Sequence, residues 1–179
     1  MPDAKLRLQA LSRGMGPAIT PAFGGSLSEA AAVCLDNQGH AVGVIMTVRG
    51  SYQADLEVFW PKVTKRMKRC YNDLQEATEH GAYGIAILLS KKLLGFVALE
   101  RSAKGTGFDY WIGENDPMPF QKKGRLEVSG ILQGSELQVK YRVASKQKQT
   151  KVSDARFPQI PAYAAVVEFG KPTATFNVR

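Results

Sequence analysis

The stretch FVALERSAKGTGFDYWIGENDPMPFQKKGRLEVSGI, residues 96–131, decides the fold. Phe96 to Leu99 form an apolar run behind Gly95. Gly107 to Ile112 form a second, in which Phe108 and Tyr110 alternate with Asp109 and Trp111. Arg125 to Ile131 form a third, in which Leu126 and Val128 alternate with Arg125, Glu127 and Ser129. Alternation with period two marks strands. The cluster Gly113-Glu114-Asn115-Asp116-Pro117 separates the second run from the third. Three consecutive strands are expected, with Phe108 and Tyr110 on one face and Asp109 and Trp111 on the other.

Working outward, residues 62 to 94 read as one or two helices. Val63, Met67, Tyr71 and Leu74 recur at helical spacing, and Ala82 to Leu93 are apolar nearly all round, which predicts burial. Gly95 is the expected C-cap. Residues 135 to 150 fit a strand through Leu137, Val139, Tyr141 and Val143, or a helix through Leu137, Tyr141, Ala144 and Lys148. Ser135 as N-cap and the run Lys146 to Gln149 favour the helix. Ala162 to Phe169 and Thr173 to Val178 read as two further strands.

Upstream, residues 31 to 60 read as a β-meander. Ala32 to Leu35 would be its first strand, Val42 to Val48 its second, and Leu56 to Trp60 its third. Pro61 suits the first position of a helix. Residues 1 to 29, with Gly14, Gly16, Pro17, Pro21, Gly24 and Gly25, read as a flexible or irregular arm. The expectation is one α/β domain over 30–179: a central mixed sheet flanked by helices, with an N-terminal β-rich extension.

The chain has 179 residues and a formal charge of +8, with 24 Lys plus Arg against 16 Asp plus Glu. A basic surface of this kind attracts polyanions, nucleic acid foremost. No apolar run is long enough to cross a membrane. Met1 to Arg13 lack the apolar segment of a secretory signal, so a cytoplasmic setting is expected. Cys34, Cys70, His40 and His80 are scattered and do not have zinc-site spacing. Neither a phosphate-binding loop nor a Gly-x-Ser-x-Gly elbow occurs.

The positive chemical signal is a pair of carboxylates on strands. If the second and third strands pair antiparallel, Asp109 and Glu127 lie side by side. Adjacent carboxylates repel unless a cation joins them, and Mg2+ or Mn2+ takes such oxygen ligands. Spacing alone favours the plainer meaning, in which each acid pairs with a surface Lys or Arg.

The strings Lys104-Gly105-Thr106-Gly107-Phe108-Asp109-Tyr110-Trp111 and Arg125-Leu126-Glu127-Val128-Ser129-Gly130 resemble the signature strands of the restriction-endonuclease-like superfamily, the PD-(D/E)xK nucleases. The order helix, three strands, helix, strand over residues 73–179 resembles its common core. With Pro161-Ala162-Tyr163 and Val166 to Gly170, the same strings look like a group of uncharacterised bacterial proteins. The resemblance implies a metal-dependent nuclease, by analogy in bacterial defence or genome maintenance. Asp109 and Glu127 would hold Mg2+ or Mn2+, with Glu79 as the acidic residue of the first core helix. Ser129 departs from the pattern, which wants lysine there. Lys146, Lys148 or Lys104 could stand in, and Lys148 is preferred because it shares the expected buried face of Leu137 and Tyr141.

Lys65, Arg66, Arg69, Lys104, Lys140 and Arg142 would track a nucleic-acid backbone, DNA first. A homodimer or another protein partner is left open. The alternative is a catalytically inactive nuclease fold serving as a DNA-binding or assembly subunit.

Overall fold

The computed structural model describes residues 4–116 and 118–179. Residues 1–3 and Pro117, parts of the expected arm and of the expected strand break, lie outside the described residues. A single mixed sheet of eight strands runs through the chain. In spatial order it contains β1 (Lys5–Arg7), β3 (Ala54–Phe59), β2 (Val44–Gly50), β8 (Thr173–Val178), β7 (Ala162–Glu168), β6 (Gly124–Ile131), β5 (Tyr110–Gly113) and β4 (Val97–Arg101). The helices are α1 (Pro21–Asn37), α2 (Lys65–Cys70), α3 (Leu74–Leu94) and α4 (Glu136–Thr150). Among the described residues no helix is long and apolar enough to cross a membrane.

The strands β4, β5 and β6 form an antiparallel meander, with Tyr110 opposite Leu126 and Trp111 opposite Arg125. Then α4 crosses over, so that β7 runs parallel to β6; parallel neighbours need such a long connection. The β2–β3 hairpin joins the sheet through a parallel contact of β2 with β8.

Strand alternation on β6 separates two environments. Gly130 faces α3 so closely that a Cβ would strike the Thr78 carbonyl. Arg125, Glu127 and Ser129 face α4 and meet Thr150, Lys146 and Arg142 there. Both ends of α3 are built from local chemistry. The Asp73 carboxylate accepts from Gln75 N and Glu76 N, and Gly95 takes the left-handed conformation at φ 75°. Ser135 and Gln138 cap α4 reciprocally. Large side chains such as Phe169, Phe176, Ile85 and Leu89 fill the core, each contributing about 2 kcal/mol by burial.

Four sequence expectations fail. Residues 8–13 form a 3-10 helix and Pro21–Asn37 a long α-helix, so the arm is structured and Ala32 to Leu35 are helical rather than a strand. Thr20 caps α1 by accepting from Phe23 N, with Pro21 at its first position. Gly24 is there for packing: a Cβ on it would strike the Leu11 carbonyl. Pro61 does not start a helix; α2 begins after Thr64. Phe108 does not share a face with Tyr110. The strand starts only at Tyr110, and Phe108 packs edge-on to Trp111 with ring centroids 4.7 Å apart.

Candidate active site

Asp109 sits one residue before β5, where β6 runs on beyond its neighbour. Its backbone N–H still donates to Leu126 O at 2.8 Å. Its carboxylate then replaces the missing strand: Oδ2 accepts from Val128 N at 2.8 Å, and Oδ1 from the Tyr83 hydroxyl of α3 at 3.0 Å. The sheet edge itself therefore fixes the orientation of this acid.

Glu127 is only 2% exposed. Lys146 Nζ, from α4, donates to its Oε1 at 2.6 Å. Burial, and next the negative charge of Asp109, push the Glu127 carboxyl up to about 7, against the pull of Lys146. The two acids thus line one hollow, with Lys146 on Glu127 and Arg101 Nη2 3.7 Å from Asp109 Oδ1. Burial and Asp109 also raise the Tyr83 hydroxyl above its usual value, which keeps it a donor.

A hollow of about 270 Å³ opens over this pair, lined in part by Glu79, Tyr83, Arg142, Lys146 and Gln149. A neighbouring cleft of about 530 Å³ shares Asp109, Glu127 and Gln149 with it and extends along residues 101–107. Lys104 lines that cleft and is exposed.

Lys148 is corrected. It is exposed, as are Leu137 at 58% and Tyr141 at 66%, so the face they share is the outer one. The inner stripe of α4 is Val139, Val143, Lys146 and Thr150. Glu79 lines the hollow but is exposed and joins no ligand cluster. Among the described residues no group of three or more His, Cys, Asp or Glu side chains is placed to hold one ion. At Ser129, where the pattern wants lysine, the hydroxyl accepts from Arg142 at 2.8 Å. Arg142 and Lys146, one helical turn apart, thus bring positive charge to β6 from the adjacent helix.

Lys65, Arg66 and Arg69 are exposed on α2 and line neither hollow at the carboxylates. Lys140 opens instead onto a separate hollow of about 430 Å³ beside β8. Sequence reasoning missed Tyr83 and Arg101. Packing of α3 on the sheet brings Tyr83 to Asp109 and the β4–β5 pairing brings Arg101, and no local motif carries that information. No family model, curated protein or solved structure matches this chain.

Proposed function

We propose that residues 73–179 are a restriction-endonuclease-like nuclease core that hydrolyses nucleic-acid phosphodiester bonds with Mg2+ or Mn2+. One observation carries the reading: two carboxylates on neighbouring strands line one hollow, and burial first, then the charge of the other, pushes the buried member's carboxyl up to about 7. A divalent cation relieves that conflict. The element order α3, β4, β5, β6, α4, β7 agrees with the core that the signature strings resemble.

The donor set suits a hard ion. Asp109 and Glu127 would hold it, and Mg2+ commonly uses one or two carboxylates, with water and substrate phosphate completing its shell. When bound, the ion supplies a more acidic water and charge stabilisation on the phosphate oxygens. Val128 N and Tyr83 hold the Asp109 carboxylate in place. Lys146, with its ammonium at Glu127, orients the attacking water. Arg142 supplies charge that Ser129 lacks. Water adds to phosphorus and the bridging P–O bond breaks.

Incubation of plasmid and of single-stranded DNA and RNA with Mg2+, Mn2+ or EDTA tests this. Cleavage is expected with either ion and not with EDTA, and Asp109→Ala and Glu127→Ala are each expected to lower it at least about 100-fold. Full activity in either folded variant, or an inert wild-type chain, overturns the reading.

A second reading, an inactive nuclease fold that binds nucleic acid, is favoured by the absence of a third clustered acid among the described residues. It predicts binding with a steep salt dependence and no cleavage.

A further inference from the structure

We propose that Arg101 anchors a phosphate of the nucleic-acid strand in the cleft beside the carboxylate pair. The ligand class rests on the nuclease reading; the anchor itself rests on the geometry of the side chain.

Arg101 ends β4, and its side chain is 51% exposed. An exposed arginine is ordinarily mobile, with a rotamer entropy it would lose on binding. This one is already fixed. Its guanidinium carbon lies 4.7 Å from the centre of the Tyr83 ring and 4.8 Å from that of Tyr110. Nη1 donates to the Tyr110 hydroxyl at 2.8 Å, and Nη2 to the Tyr83 hydroxyl at 3.2 Å. A guanidinium has further N–H donors beyond the two spent here. The two ring contacts and two hydrogen bonds hold the guanidinium, and its remaining N–H groups suit phosphate oxygens.

Its position suits the same ligand. Arg101 lines the cleft of about 530 Å³ with Lys104, next to Asp109 and Glu127. Nη2 lies 3.7 Å from Asp109 Oδ1. A phosphodiester approaching two carboxylates is repelled unless cations flank them. Arg101 and Lys104 flank them on the loop side, and Lys146 and Arg142 on the α4 side. Arg101 is the one whose plane is set before substrate arrives.

A purely structural arginine would hold the two tyrosines and do nothing else. The two roles separate in a salt titration. The probe is a fluorescein-labelled oligonucleotide in EDTA, followed by anisotropy with the full chain, Arg101→Gln and Arg101→Lys. The anchor predicts that Arg101→Gln weakens binding roughly fivefold to tenfold and lowers the salt slope by about one phosphate contact. Arg101→Lys keeps the charge, so it restores the slope but not the full affinity. Both should melt close to wild type. An unchanged slope in folded Arg101→Gln, or no oligonucleotide binding by wild type, overturns the anchor.

Cleavage assays on the same samples keep the two proposals apart. An active enzyme indifferent to Arg101 loses the anchor and keeps the nuclease. An inert wild type whose binding depends on Arg101 loses the nuclease and keeps the anchor.

Discussion

Arg125 and Glu127 are two residues apart on β6, both buried and both turned toward α4, yet their surroundings act on neighbouring acids in opposite directions. Arg125, 3% exposed, donates to Ile160 O, Thr150 O, Ser153 Oγ and Asp154 Oδ1. Asp154 also takes both terminal nitrogens of Arg179. Hydrogen bonds from Arg179 first, and Arg125 after it, hold the Asp154 carboxyl down at about 2, against slight desolvation. Two guanidiniums share one carboxylate there, and the Arg125 donors find acceptors. At Glu127 the nearest cations are Lys146, on Glu127 itself, and Arg101, 3.7 Å from Asp109, yet burial and the neighbouring acid still push the carboxyl up to about 7. A saturated network ties residues 150–160 and the C-terminal arginine to the sheet. At Glu127 a buried carboxyl is left with its proton affinity raised. The difference separates a structural ion cluster from a candidate site on a single strand.

The largest effect should come from breaking the saturated side. Arg125→Met strands buried acceptors and should cost about 3 kcal/mol in urea unfolding, without lowering cleavage by the folded fraction. On the other side, Lys146→Ala should lower cleavage about 30-fold, equivalent to about 2 kcal/mol of barrier, at saturating Mg2+. Next comes a reversal of sign. Glu127→Gln should stabilise the metal-free protein at pH 8 by about 1 kcal/mol, because the folded chain no longer strains against a buried charge.

The pH dependence sharpens the contrast further. Glu127 is raised from 4.5 to about 7, so between those values the folded chain binds more protons than the unfolded one. Metal-free stability should therefore fall as pH rises through that window, and Glu127→Gln should flatten the fall. Asp154 is lowered from 3.8 to about 2, so its contribution is present above 3.8 and lost as pH drops toward 2. Thermal melts across pH 2 to 8 read both slopes. The smallest effect belongs to Lys148→Ala, which should change cleavage by less than about twofold because that side chain points away from the hollow.

Much of the architecture was legible in local signals. Period-two alternation marks β6, Ser135 and Gln138 mark the start of α4, and Gly95 marks the end of α3. The antiparallel pairing that sets Asp109 beside Glu127 follows from those strands. Helix α1 was hidden because Gly24, Gly25 and Pro21 read as loop residues. Gly24 in fact serves close packing on Leu11, and Pro21 a helix start. The lysine that meets Glu127 was hidden by helix phase. The inner stripe of α4 carries Val139, Val143, Lys146 and Thr150, of which only Val143 and Thr150 are buried, while Leu137 and Tyr141 lie in solvent. Hydrophobicity pointed to the wrong side of the helix, and the polar contact with Glu127 decides it. Tyr83 and Arg101 reach Asp109 only through tertiary contact.

The central claim is that Asp109 and Glu127 together hold one divalent cation. Titration of Mn2+ into the full chain at pH 8, followed by electron paramagnetic resonance, counts bound ions directly. The account predicts about one bound Mn2+ per chain, abolished by Asp109→Asn and by Glu127→Gln and displaced by Mg2+. Absence of bound Mn2+ in the wild-type chain, or equal binding in both variants, would contradict it.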